Sequence, residues 1–93
     1  GNKNVMILEV LFHKQQECNE FRVVVTPILQ DLEHMKTCGF TYQVGSSRHE
    51  LKGEKTRERA YAMLQGDLEF ICWIGTTFAI LLATQVRVGV NYC

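Results

Sequence analysis

The chain has 93 residues, with ten basic and ten acidic side chains that cancel. That length supplies one domain, 1–93, whose small core benefits from a partner, so a single-domain homo-oligomer is expected. The charges are scattered rather than clustered, which argues against a nucleic-acid or anionic-membrane surface and leaves another protein or a small molecule as the partner.

Val5 to Phe12, "VMILEVLF", predicts a strand with Met6, Leu8, Val10 and Phe12 on one face and Val5, Ile7, Glu9 and Leu11 on the other. Both faces are mostly apolar, so the second is expected to be covered by something besides the domain's own helices. The next stretch, 13–25, is polar and then β-branched, and reads either as a loop with a strand extension or as the opening turns of a helix. Thr26-Pro27 sets the start of regular helix, because Thr is a good N-cap and Pro suits the first helical position. That helix is expected from Pro27 to about Thr37, with Ile28, Leu32 and Met35 on one face, Leu29 beside them and Gly39 ending it.

"FTYQV" reads as a half-buried strand with Phe40, Tyr42 and Val44 inward and Thr41 and Gln43 outward. "RHELKG" follows with His49 and Leu51 on one face and Arg48, Glu50 and Lys52 on the other. The turn chemistry of Gly45-Ser46-Ser47 joins the two runs into a hairpin. A second helix is predicted from near Thr56 to near Gly75, with Ala60, Leu64, Leu68 and Ile71 as its stripe and Met63, Phe70 and Trp73 widening it to more apolar surface than one sheet face can cover, which again points to a partner. The last strand is expected over Phe78–Val90, with Phe78, Ile80, Leu82, Thr84, Val86, Val88 and Val90 on one face and Ala79, Leu81, Ala83, Gln85, Arg87 and Gly89 on the other.

The uncharged run 70–86 approaches the length of a membrane span, but "GTT" at 75–77 interrupts it, so it reads as a helix end, a turn and a buried strand. The order is then β-α-β-β-α-β. Two interleaved crossovers in one sheet make an α+β ferredoxin-like sandwich, with two helices on one face of a four-stranded antiparallel sheet.

Cys18, Cys38, Cys72 and Cys93 are far apart and form no Cys-x-x-Cys pair, so no zinc or thioredoxin-like motif is spelled out. With no secretory leader before the first strand, the expectation is a reducing cytoplasm and four free thiols; a secreted domain with two disulfides is the alternative. His13, His34 and His49 lie in separate elements without ligand spacing, so no metal and no cofactor is expected. Ser46 and Ser47 lack a nucleophile elbow. An acylphosphatase would share the strand order but would need a glycine-rich cradle with an arginine after the first strand, where this chain has "HKQQECN".

The hairpin centre places two hydroxyls, a cation, an imidazole and a carboxylate at Ser46, Ser47, Arg48, His49 and Glu50. Such groups can fix a small polar heterocycle while Phe12, Tyr42 or Trp73 supplies a flat wall. A hairpin also needs polar residues for its own sake.

"GFTYQVGSSRHELKGE" resembles the helix end, strand, hairpin and strand of the YkoF-type thiamine-binding family, with Gly39, Tyr42, Leu51, Gly53 and Glu54 in matching order and spacing. "LFHK" is similar to that family's first strand end, with His13 where a proline is common, and "GTTFAILLATQVRVGVN" to its last loop and strand, with Thr84 mid-strand. At the hairpin this chain has Gly45-Ser46-Ser47-Arg48-His49, where single-domain relatives carry Thr-Pro-x-Gly-Thr. The resemblance implies a non-catalytic module that binds thiamine or its hydroxymethylpyrimidine part and forms dimers or tetramers through its sheets. The expected ligand site is Phe12, Tyr42, Ser46, Ser47, His49 and Glu50. Two other classes stay open: a small monooxygenase-like enzyme using His49 or His13 beside an aromatic, and a structural oligomerisation domain.

Overall fold

The computed structural model describes residues 4–12, 17–77 and 84–93, and the side chains of 7–9, 18–73 and 85–93. In chain order the elements are β1 (Asn4–Phe12), α1 (Glu17–His34), β2 (Thr37–Val44), β3 (Ser47–Lys52), α2 (Thr56–Thr77) and β4 (Thr84–Tyr92). The strands form one antiparallel sheet in the order β1-β4-β2-β3. Each β-α-β crossover therefore spans one intervening strand: β1 and β2 flank β4, and β3 and β4 flank β2. The chain is an α+β, ferredoxin-like βαββαβ sandwich.

Helix α1 begins ten residues before Pro27, so the expected N-cap is instead helix interior. Phe21, Val25, Ile28 and Leu32 recur at spacings of four, three and four, and all are buried. That continuous stripe outweighs the proline. Pro27 removes one intrahelical hydrogen bond and usually costs ~3 kcal/mol in a helix interior. It lies on the exposed side of α1, where a freed carbonyl can turn to water, and Thr26 Oγ1 donates at 2.6 Å to the Arg22 carbonyl rather than capping a start. Gly39 does not end this helix: α1 stops at His34, and Gly39 is a buried residue of β2. A Cβ there would meet Asn91 Nδ2 at 3.0 Å, so the glycine permits close approach to β4.

The core lies between the sheet and the two helices. Phe40, Tyr42, Leu51, Val86, Val88, Val90 and Tyr92 point into it from the strands, and Ala60 and Leu64 from α2. Leu68, Ile71 and Met63 are partly buried against this core. Phe70 and Trp73 extend the apolar surface of α2 beyond this core; they stand 56% and 59% exposed, with ring centroids 6.4 Å apart. The residues 78–83 of the expected last strand lie outside the described residues, and the described strand continues to Tyr92, whose hydroxyl donates to Asp31 Oδ2 at 3.0 Å.

All four cysteines are paired, which corrects the expectation of free thiols. Cys18–Cys72 joins the start of α1 to the later turns of α2, with Cα atoms 4.5 Å apart. Cys38–Cys93 joins β2 to the residue after β4, at a Cα separation of 5.6 Å. Partners separated by more than fifty residues carry no spacing signature, so only the folded chain reveals them.

Candidate functional site

The hairpin forms as its residues direct. Val44 pairs with Ser47 around the two-residue turn Gly45-Ser46, and Gly45 has φ 57°, the left-handed first position that a II′ turn requires. Two bonds hold the turn in place: Gly45 N–H donates to the Gln85 carbonyl at 3.0 Å, and Gln43 Nε2 donates to the Gly45 carbonyl at 3.0 Å.

The described members of the expected ligand set are spread over both faces of the sheet and its turn. Tyr42 is a core residue, 1% exposed, facing the helices. Ser46 and Ser47 are exposed at the turn. His49 lies opposite Tyr42 in the pairing of β2 with β3, and it is exposed on the edge strand. Glu50 is on the other face, where its carboxylate takes the Arg48 guanidinium at 2.8 Å. That hydrogen bond, with the charge behind it, holds the Glu50 carboxyl below its ordinary range. The side chain of Phe12 and the whole of His13 lie outside the described residues. Among the described residues, no group of three or more His, Cys, Asp or Glu converges as a metal site would.

A different constellation lies on the sheet face away from the helices. Register places Glu9, Arg87, Gln43 and Arg48 in one row across all four strands, and Ile7, Gly89, Thr41 and Glu50 in the next. Arg87 Nε meets Glu9 Oε1 at 2.7 Å, so both guanidiniums of the first row are neutralised by carboxylates. Small residues in the second row leave a depression of about 190 Å³ bordered by Ile7, Thr41, Gln43, Arg48, Arg87 and Gly89. Glycine inside a strand often marks close approach of a ligand or another backbone.

Among its described side chains this face is largely polar, with Ile7, 65% exposed, as its large apolar member. The apolar second face expected for β1 is thus represented by Ile7; Val5 and Leu11 lie outside the described side chains. Thr41, Gln43, Arg87 and Gly89 were legible as outward residues of two strands. Their meeting depends on β2 lying beside β4, which no local pattern encodes.

Buried tyrosines supply the strongest electrostatics. The Tyr42 hydroxyl is buried and reaches toward Asp67 without completing a hydrogen bond. Burial, reinforced by that carboxylate, pushes its pKa far above the ordinary phenol value. Burial and the bond to Asp31 push Tyr92 up to about 12. For both groups the folded state favours the neutral phenol, so the associated stability is fully present below the ordinary value of 10.0; the Tyr92 contribution is lost as pH rises through about 12, and that of Tyr42 only at still higher pH. A loss on the order of 2 kcal/mol is expected from Tyr92 over that interval, measured as denaturant midpoints at successive pH values. Tyrosinate absorbance should rise together with alkaline unfolding, and ordinary titration of all the tyrosines in the folded protein would contradict this.

The two hydroxyls should also differ in sign on removal. Tyr92→Phe deletes a hydrogen bond to a carboxylate and is expected to destabilise by about 1.5–3 kcal/mol. Tyr42→Phe deletes an incompletely bonded buried hydroxyl and is expected to be neutral or stabilising by about 1 kcal/mol, as read by urea denaturation.

No protein-family model, curated protein or solved structure matches this chain.

Proposed function

We propose that this domain is a non-catalytic binding module whose working surface is the open face of its sheet, where a second copy assembles and a small flat heterocycle of the thiamine type is held. The observation that carries this reading is the depression between Arg87 and Arg48, floored by Thr41 and Gly89. Thr41 and Gln43 supply the adjacent donor and acceptor that an aminopyrimidine needs. Because Glu9 and Glu50 neutralise the two arginines, a cationic thiazolium is not opposed by bare positive charge. The depression, at about 190 Å³, is below the ~300 Å³ lower range of small-molecule pockets, consistent with a site closed by assembly.

A second reading, a structural assembly domain without ligand, is favoured by the closed Arg48–Glu50 pair and by the turn role of Gly45-Ser46. Among the described residues no helix is long and apolar enough to cross a membrane. The cytoplasm was the expected compartment, but two cross-links favour an oxidising one.

Isothermal titration with thiamine and, separately, hydroxymethylpyrimidine tests the ligand. Saturable heat is expected in the parent and in Ser47→Ala, and none in Thr41→Ile, which fills the depression. No heat with either compound overturns the ligand assignment. Sedimentation of the same samples then decides the second reading: assembly without heat supports it, and a monomer at all concentrations removes it as well.

A further inference from the structure

Two neighbouring hollows wrap the end of the domain where α1 finishes and α2 begins. One, of about 380 Å³, is bordered by Leu32, Glu33, Arg57, Glu58 and Tyr61. The other, of about 440 Å³, includes His34, Lys36, Lys55 and Thr56 and shares Arg57 and Glu58 with the first. Each is within the ~300–1,000 Å³ range of small-molecule sites, and neither shares a lining residue with the sheet-face depression.

Their chemistry is graded. In the first hollow Leu32 is a buried aliphatic floor and the half-buried ring of Tyr61 is a flat wall. Its carboxylates have neighbours: Glu33 lies close enough to the Tyr61 hydroxyl to raise its pKa and stands 3.7 Å from His34 Nε2, and Glu58 accepts from Arg57 Nη2 at 2.9 Å. Arg57 is occupied twice over, since its Nη1 also donates at 3.3 Å to the Glu33 carbonyl in the last turn of α1. The second hollow adds two exposed ammonium groups, Lys36 and Lys55, and no carboxylate beyond the Glu58 already paired with Arg57. The groove therefore offers an aliphatic and a flat aromatic contact beside paired charges at one end and is net positive at the other.

We infer that this groove is a second binding site, for a small carboxylic acid with a flat apolar body. The body lies against Leu32 and Tyr61, and the carboxylate reaches Lys36 and Lys55. Arg57 and Glu58, held to each other between the two hollows, set the distance from ring to carboxylate.

The test follows backbone amide shifts of the whole chain by NMR during titration with 3-phenylpropionate, with 3-phenylpropanol and inorganic phosphate as separate arms. The expected result is saturable movement of the Lys36, Lys55, Arg57 and Tyr61 amides by the acid, with a dissociation constant of about 1 mM or tighter. The Lys36→Gln, Lys55→Gln double variant changes only exposed side chains, so it should keep its spectrum and bind about tenfold more weakly. Three results would overturn the site: no saturation, equal effect of phosphate, which is anion attraction alone, or equal effect of the alcohol, which makes the carboxylate irrelevant.

Discussion

Replacing Cys18 and Cys72 together by alanine is expected to lower stability by about 4 kcal/mol. The two residues are 54 apart in sequence, and the chain-entropy model assigns ~3 kcal/mol to a closed loop of about 15 residues and ~4.7 to one of about 100. The Cys38–Cys93 loop, with a separation of 55, deserves a similar figure. The loops interleave in the order 18, 38, 72, 93, so each restricts a different part of the unfolded ensemble. Domains of this size have total stabilities of roughly 5–15 kcal/mol, so loss of both cross-links should bring the fold close to its melting threshold or beyond it. Urea titration of the oxidised, singly deleted and reduced protein measures the effect. Peptide mapping without reductant checks the pairing itself. Identical midpoints with and without reductant would mean that the thiols are free, and the cytoplasmic expectation would return.

Phe21→Ala is the second large expected effect, at about 3–5 kcal/mol, because it empties a fully buried aromatic position beneath α1. The neighbouring Val23→Ala serves as its control: Val23 is 73% exposed, and its truncation should stay within about 0.5 kcal/mol. The contrast tests the length of α1 as well as the packing. Were the helix to begin at Pro27, with a loop before it, the two substitutions would have similar small effects in denaturation experiments.

Phe21 also shows where the sequence was legible and where two signals competed. Thr26-Pro27 is a good helix start in isolation, and local chemistry offers no reason to look past it. The spacing of Phe21, Val25, Ile28 and Leu32 was equally present in the chain, but its force comes from burial against the sheet, which exists only after folding. Gly39 is a similar case: a glycine after a helical stretch suggests a terminator, yet the side chain of Asn91, 52 residues later, is what requires the missing Cβ. Phe70 and Trp73 show the limit of the stripe: their spacing placed them beside it, but only the fold reveals that α2 turns both rings outward from the core.

The hairpin was legible almost residue by residue. Alternation assigned Leu51 and His49 to one face and Arg48, Glu50 and Lys52 to the other, and the pairing of β2 with β3 has that phase. A period of two admits no compromise, because a slip of one residue would expose Leu51. What alternation could not express was depth. Tyr42 and His49 are opposite one another, yet Tyr42 is in the core while His49, on an edge strand, is exposed.

By itself the sequence determined the element order, the inward faces of β2, β3 and β4, and the crossover pattern that makes a βαββαβ sandwich. These follow from periodicity and turn chemistry, which act over a few residues and are written in the chain locally. The tertiary structure alone decided that β4 lies between β1 and β2, that Arg87 and Arg48 flank one depression, that Lys36 and Lys55 border one groove, and that Cys18 meets Cys72 and Cys38 meets Cys93. Each of those is a meeting of segments tens of residues apart, set by how the whole apolar surface is buried at once rather than by any stretch of chain.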